Sequence, residues 1–191
     1  MRKLASLIAA VVLCVLQAAG PSTARAASSD DAYAFSFSSI EGQPLPLSEY
    51  RGKALLVVNT ASFCGFTRQY ADLQTVWNRY RDRGLIVIGV PSNDFGNQEP
   101  GSDAEIKQFC EVNFDVDFPL TSKEHVSGAE AHPFYRWAAG EAGAGSVPRW
   151  NFHKYLVSPE GDLVASFSTM TPPTADAVTR AIEANLPGSG G

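Results

Sequence analysis

Cys64 is the residue of this chain best placed to act as a nucleophile. It lies in Asn59-Thr60-Ala61-Ser62-Phe63-Cys64-Gly65-Phe66-Thr67, where an apolar strand pattern gives way to a helical one. Such a junction holds a sulfur near free backbone N–H groups and the positive end of a helix dipole. Both favour the thiolate, which is the nucleophilic form. A lone cysteine is also a common core residue, so residue type alone leaves two readings open; Gly65, Thr67 and the junction itself favour reactivity. Three uncharged donors stand in other loops. Gln98 lies in Asn93-Asp94-Phe95-Gly96-Asn97-Gln98-Glu99-Pro100-Gly101, and Trp150 and Asn151 lie further on. On type alone Trp150 is a packing residue, and Gln98 and Asn151 are loop caps. Aimed together at one sulfur, their N–H groups would stabilise its anion and the charge that develops on oxygen as a peroxide bond breaks.

Two buried-strand patterns frame the first junction. Ala54–Val58 is continuously apolar, as is Leu85–Val90, and runs of this kind suit strands covered on both faces. Between them, Tyr70, Leu73, Val76, Trp77 and Tyr80 share one face of a helix predicted over Gln69–Arg81, with Gly84 as its stop. The second strand ends at Pro91 and leads into the Gln98 loop. Ser102 and Glu105 form a capping box for a helix with Ile106, Phe109 and Cys110 on one side. Phe118-Pro119-Leu120 is a short strand or turn, and His132-Pro133 starts another helix. Gly140–Ser146 reads as a mobile loop. Lys154–Val157 and Leu163–Phe167 form a hairpin around Pro159-Glu160-Gly161-Asp162. Thr174 is the expected cap of a last helix carrying Val178 and Ile182. At the front, residues 28–34 read as a flexible lead-in. Phe35–Ser38 follows as a half-exposed strand, and Gly42, Pro44 and Pro46 suggest a hairpin-like entry. Residues 187–191 are expected to fray. The order β-α-β-α, then α, then a hairpin, then α implies an α/β domain over residues 35–186. Its central mixed sheet carries helices on both faces. It resembles the thioredoxin-like arrangement, in which loops at the carboxyl ends of the strands gather the site.

Length and charge narrow the class. The chain has 191 residues and a formal charge of −5, enough for one full core. No basic stripe supports a nucleic-acid partner. Arg2 and Lys3, the apolar run Leu4–Leu16 and the small-x-small site Ala24-Arg25-Ala26 read as a secretory signal peptide over residues 1–26. The apolar run is shorter than the ~20 residues of a membrane span, and Leu13 before Cys14 argues against lipid attachment. Cleavage after Ala26 removes Arg2, Lys3 and Arg25 and no acid, leaving 12 basic against 20 acidic residues and a charge of −8. Export to a periplasm or beyond the cell is the expected localisation, with no stable membrane anchor after processing. Of the cysteines, Cys64 and Cys110 then remain. In an exported protein such a pair is either a structural disulfide or one that cycles between dithiol and disulfide. His125, His132 and His153 have no ligand spacing and read as surface or capping residues, so no metal is expected. Without a phosphate loop or dinucleotide fingerprint, no cofactor is expected either.

Three segments together resemble the glutathione peroxidase family. They are Val58–Thr67 with Gln69-Tyr70, Gly89–Gly101, and Trp150-Asn151-Phe152-His153-Lys154-Tyr155-Leu156-Val157, within a pattern covering about residues 33–186. The resemblance implies that Cys64 is the peroxidatic residue, in the place some relatives fill with selenocysteine. It implies that Gln98, Trp150 and Asn151 complete a catalytic tetrad. Cys110 looks like the resolving cysteine of the two-cysteine subgroup, which takes electrons from a thioredoxin-type dithiol rather than from glutathione. The expected reaction is reduction of hydrogen peroxide and of organic or lipid hydroperoxides. Relatives that form tetramers carry a longer insertion near Gly140–Ser146, so a monomer with an open site is expected. Phe63 stands where the family commonly has Lys, Asp94 where it has Gln, and Ser92 where it often has Cys. Two rival functions stay open on the same fold. A thiol–disulfide oxidoreductase would want a second cysteine where Thr67 stands. A peroxide sensor relaying oxidation to a partner shares the first chemical step.

Overall fold

A computed structural model describes residues 31–143 and 145–188 of the chain. The signal-peptide reading, Cys14 and the last three residues lie outside the described residues. A two-stranded antiparallel ribbon, β1 (Ser36–Ser38) and β2 (Pro44–Pro46), precedes the main sheet. That sheet contains β3 (Ala54–Thr60), β4 (Leu85–Pro91), β5 (Lys154–Val157) and β6 (Leu163–Phe167), in the order β4-β3-β5-β6. β3 and β4 run parallel, with Leu56 opposite Val87; β5 runs antiparallel to β3, with Leu56 opposite Leu156. The helices are α1 (Gln69–Tyr80), α2 (Asp103–Phe114), α3 (Pro133–Ala142) and α4 (Asp176–Ala184).

Every residue of β3 and β4 is buried, because alternate side chains enter two cores. Leu56, Val58 and Val87 pack with Tyr70, Leu73 and Val76 of α1, Ile106 and Cys110 of α2, and Val178 and Ile182 of α4. Leu55, Val57, Ile86 and Ile88 pack on the other face with Phe134, Tyr135 and Ala138 of α3 and with Phe37 and Leu45 of the ribbon. The sheet is thus covered by helices on both sides, as its apolar strands require. Beside β4, Gly89 N–H donates to Pro119 O and Gly89 O accepts Thr121 N–H, each at 2.9 Å. A Cβ at Gly89 would lie 2.6 Å from Leu120 Cδ2, so a larger residue there would push the Leu120 side chain aside.

Four expectations need correction. The flexible lead-in is packed from Ala32 onward: Ala32 and Tyr33 are buried, and the Tyr33 hydroxyl sits among the carbonyls of Lys53, Ser158 and Pro159. A large aromatic ring with three nearby acceptors outweighs the polar composition around it. α3 runs through Gly140 to Ala142, so the loop starts later than expected. Apolar burial of Phe134, Tyr135 and Ala138 carries the helix past a glycine. Thr174 does not cap α4; the N-cap is Ala175 with no side-chain bond, after a turn in which Ala175 N–H donates to Pro172 O. Its hydroxyl instead lies 3.4 Å from Asp72 of α1. Finally, His153 is neither a surface nor a capping residue. It is buried, burial pushes its imidazole down to about 4, and its Nε2 has no hydrogen-bond partner. His132 does cap α3, accepting Phe134 N–H, and His125 is exposed and pairs with Asp94 at 2.7 Å. Ser102 and Glu105 form the capping box of α2 as expected.

Candidate active site

β3 delivers the chain into a turn-rich loop, residues 61–68, that carries Cys64 before α1 begins. Thr67 organises the loop: its hydroxyl lies among the carbonyls of Ala61, Ser62 and Cys64 and accepts Cys64 N–H at 3.0 Å. Cys64 is buried, and its sulfur accepts Phe66 N–H at 3.4 Å. The first N–H groups of α1 do not face the sulfur. Gln69, Tyr70 and Ala71 donate to the carbonyls of Phe66, Thr67 and Arg68. The local amide at Phe66, rather than the helix terminus, supplies the donor.

The loop is stitched to the segment after β4. Phe63 N–H donates to Gln98 O at 3.0 Å, and Ser62 N–H donates to Glu99 Oε2 at 2.9 Å. Gln98 also meets Asn151, whose Nδ2 donates to Gln98 Oε1 at 2.9 Å. With its oxygen engaged, the Gln98 amide keeps its Nε2 donor pair for the site. Gly96 (φ +68) brings the pieces close: a Cβ there would lie 3.5 Å from Trp150 Cη2 and 3.6 Å from Gln98 Nε2. The Trp150 ring lies 6.1 Å from that of Phe95 and is partly exposed. The structure therefore joins Gln98 to Asn151, sets Trp150 beside them, and ties this group to the Cys64 loop.

Left-handed backbone flanks these donors. Asn97 (φ 53) precedes Gln98, and Phe152 (φ 62) follows Asn151. Asn tolerates that region; a bulky Phe does not, at a cost of order 1–3 kcal/mol. The fully buried Phe152 ring, 5.3 Å edge-on from Tyr70, anchors the strained turn. Asn59 clamps it from β3, with Nδ2 donating to Trp150 O at 3.1 Å and Oδ1 accepting His153 N–H at 3.1 Å. Thr169 Oγ1 donates to Asn151 O at 2.7 Å. Sequence reading passed over Asn59, Glu99 and Thr169. A polar residue near the end of an apolar strand was the available signal for Asn59; Thr169 had none.

Cys110 is fully buried in α2, and Cys64 and Cys110 are both free thiols. Burial pushes the Cys110 thiol up to about 12, with the Glu99 charge adding to the rise. Phe63 is exposed, its ring 6.1 Å from Phe109, and with Ser62, Glu99, Pro100 and Ile106 they line a groove of about 410 Å³. Arg68 is exposed and forms no ion pair among the described residues. Asp94 serves the loop's architecture, accepting from Val126 N–H, Ser127 N–H and the Ser127 hydroxyl. No group of metal-ligating side chains occurs among the described residues.

A model of the glutathione peroxidase family matches residues 32–139. The hydroperoxy fatty acid reductase gpx1 of Synechocystis sp. is 43% identical over 149 residues, covering 74% of this chain and 88% of the relative. The glutathione peroxidase-like peroxiredoxin gpx1 of Schizosaccharomyces pombe is 45% identical over 135 residues, covering 70% and 85%. Among solved structures, T. cruzi GPX1 superposes with a TM-score of 0.66 at 27% identity, over 82% of this chain and 96% of its own. A thioredoxin-family thiol:disulfide interchange protein of Chlorobium tepidum, at 18% identity and a TM-score of 0.59 over 80% of this chain and 92% of its own, shares the fold.

Proposed function

The chain belongs to the glutathione peroxidase family and is a thiol peroxidase that reduces hydroperoxides; on that premise we propose that Cys64 is the peroxidatic residue, Gln98, Trp150 and Asn151 its donors, and Cys110 the resolving thiol. The Cys64 thiolate attacks the distal oxygen of the hydroperoxide. The S–O bond forms as the O–O bond breaks, and the departing oxygen takes a proton and leaves as water or an alcohol. The product is a sulfenic acid. Gln98 Nε2 and the Trp150 indole N–H lower the cost of the charge that builds on oxygen. The observation that carries this reading is the 2.9 Å bond from Asn151 Nδ2 to Gln98 Oε1, which leaves the Gln98 donors available.

In the second step Cys110 attacks the sulfenic sulfur, a disulfide forms and water leaves. A dithiol of thioredoxin type then reduces the disulfide by exchange; glutathione is the less favoured reductant. A thiol buried in α2 and held protonated cannot attack where it stands. A disulfide needs Cα atoms within about 7 Å; with Cys110 buried on α2 and Cys64 on a separate loop, the scheme has α2 unwind first. The exposed rings of Phe63 and Trp150 give the site an apolar rim, which suits organic and lipid hydroperoxides. The similarity to a hydroperoxy fatty acid reductase supports the same substrate class. Residues 1–26 support export, in which case the reductant has to share that compartment, and the short loop after α3 supports a monomer.

Mass spectrometry after one equivalent of peroxide tests the scheme. Wild type should form a Cys64–Cys110 disulfide, and Cys110→Ser should stop at the Cys64 sulfenic acid and lose turnover with thioredoxin. Normal turnover by Cys110→Ser would remove the resolving role. A single slow turnover ending in a stable mixed disulfide with one partner protein would mark a sensor instead.

A further inference from the structure

Glu99 is a fully buried carboxyl with no cation on its side-chain oxygens among the described residues. Oε2 accepts both Ser62 N–H, at 2.9 Å, and the Ser62 hydroxyl, at 3.2 Å; Oε1 has no partner. Its backbone is fixed as well. Glu99 N–H donates to Asn93 Oδ1 at 2.8 Å, and Lys123 Nζ donates to Glu99 O at 3.2 Å and to Gly101 O at 2.7 Å. The residue before it, Gln98, accepts Phe63 N–H. Two consecutive amides ahead of Cys64 are therefore held by two consecutive residues of the Gln98 segment, one through a backbone carbonyl and one through a carboxylate.

We propose that Glu99 is a positioning residue for peroxide reduction, its carboxylate holding the Cys64 loop in register with Gln98. This rests on the peroxidatic role of Cys64 given above. Simple packing does not account for a carboxyl here. A buried acid with one orphan oxygen costs stability, and Gln of the same shape would fill the space without charge. What the carboxylate adds is two charge-assisted bonds to the loop, each about twice as strong as a neutral one.

The carboxylate is also placed to titrate in use. Burial raises it to about 7, against the Ser62 bonds and the Lys123 charge, which lower it. The other ionisable groups around it are Tyr70 of α1, Cys110 and Glu105 of α2, and Cys64 of the loop. Burial pushes Tyr70 and Cys110 further into their neutral forms, and Glu105 serves the capping box at the groove mouth. As pH falls through about 7, protonation weakens the tether and frees the loop.

The test is single-turnover oxidation of Cys64 in the full chain by cumene hydroperoxide from pH 5.5 to 8.5, followed by intrinsic tryptophan fluorescence. Iodoacetamide alkylation over the same range separates the titration of the thiol. Wild type should show an inflection near pH 7 beyond that of the thiol. Glu99→Gln should lose this inflection and react about tenfold more slowly at pH 8. Ser62→Ala, which keeps the backbone bond, should slow about threefold and keep the inflection. Profiles for Glu99→Gln and Ser62→Ala that superimpose on wild type would overturn the proposal. So would a Ser62→Ala profile without the inflection, if Glu99→Gln fails to fold. Wild type that consumes no hydroperoxide would instead sink the peroxidatic reading itself, with or without Glu99.

Discussion

Asn151 decides which way Gln98 faces. Its Nδ2 occupies the Gln98 oxygen, and its own carbonyl is pinned by Thr169. Removing the side chain frees the Gln98 amide to turn its oxygen toward the site, replacing a donor with an acceptor where negative charge develops. Asn151→Ala should therefore slow single-turnover oxidation of Cys64 by about 10²-fold, the cost typical of one lost oxyanion donor. Asn151→Asp should be worse, because a carboxylate oxygen would then face Gln98 Oε1. A stopped-flow series with hydrogen peroxide checks both. If Asn151→Ala keeps wild-type speed, Gln98 is held by something else. On residue type alone Gln98, Trp150 and Asn151 were loop caps and a packing residue; the resemblance of three motif segments to a known family pointed to them as donors. Neither pointed to Asn59 or Thr169, whose tasks are to hold backbone at the far end of contacts that sequence spacing cannot display.

At the scale of elements, the proposed resolution step asks α2 to open, and its N-terminal capping box is the handle on its stability. Ser102 Oγ accepts Glu105 N–H, and the Glu105 carboxylate accepts Ser102 N–H at 2.8 Å. Ser102→Ala should cost about 1 kcal/mol of helix stability, which multiplies the unwound fraction about fivefold. If unwinding limits resolution, disulfide formation should accelerate by a similar factor, while the first reaction at Cys64 keeps its rate. Quenched-flow trapping of the Cys64–Cys110 disulfide separates the two steps. An unchanged or slower second step would mean that α2 resolves without opening. The capping box was legible because its signal is local, two residues three apart. The failed cap at Thr174 shows the limit of such signals: the turn from Pro172 to Ala175 moved the start of α4 past it.

For the whole molecule, two buried titratable groups give stability opposite pH dependences. Glu99 is raised from 4.5 to about 7 in the fold. Between those values the folded state holds a proton that the unfolded chain has released, so this contribution is full below about pH 4.5 and is lost as pH rises to about 7. His153 is lowered from 6.5 to about 4, so its contribution is full above about pH 6.5 and is lost as pH falls toward 4. Thermal melts should then show Glu99→Gln more stable than wild type at pH 8, with the gap closing by pH 4.5. A gap that stays constant across that range would show that Glu99 does not titrate in the fold. A gain in stability with a loss in rate is the signature of a group kept for function.

The sequence by itself determined the α/β class, both core strands, three of the helix starts and the reaction class. Apolar periodicity, capping chemistry and three motif segments are local or ordered patterns that survive without coordinates. Only the tertiary structure decided which amide orients which, that His153 and Tyr33 are interior, and that Glu99 bridges the Cys64 loop and the Gln98 segment. Those facts depend on contacts between residues 37 to 126 positions apart, and on burial that sets the charge cost of each group. Spacing along a chain carries no record of either.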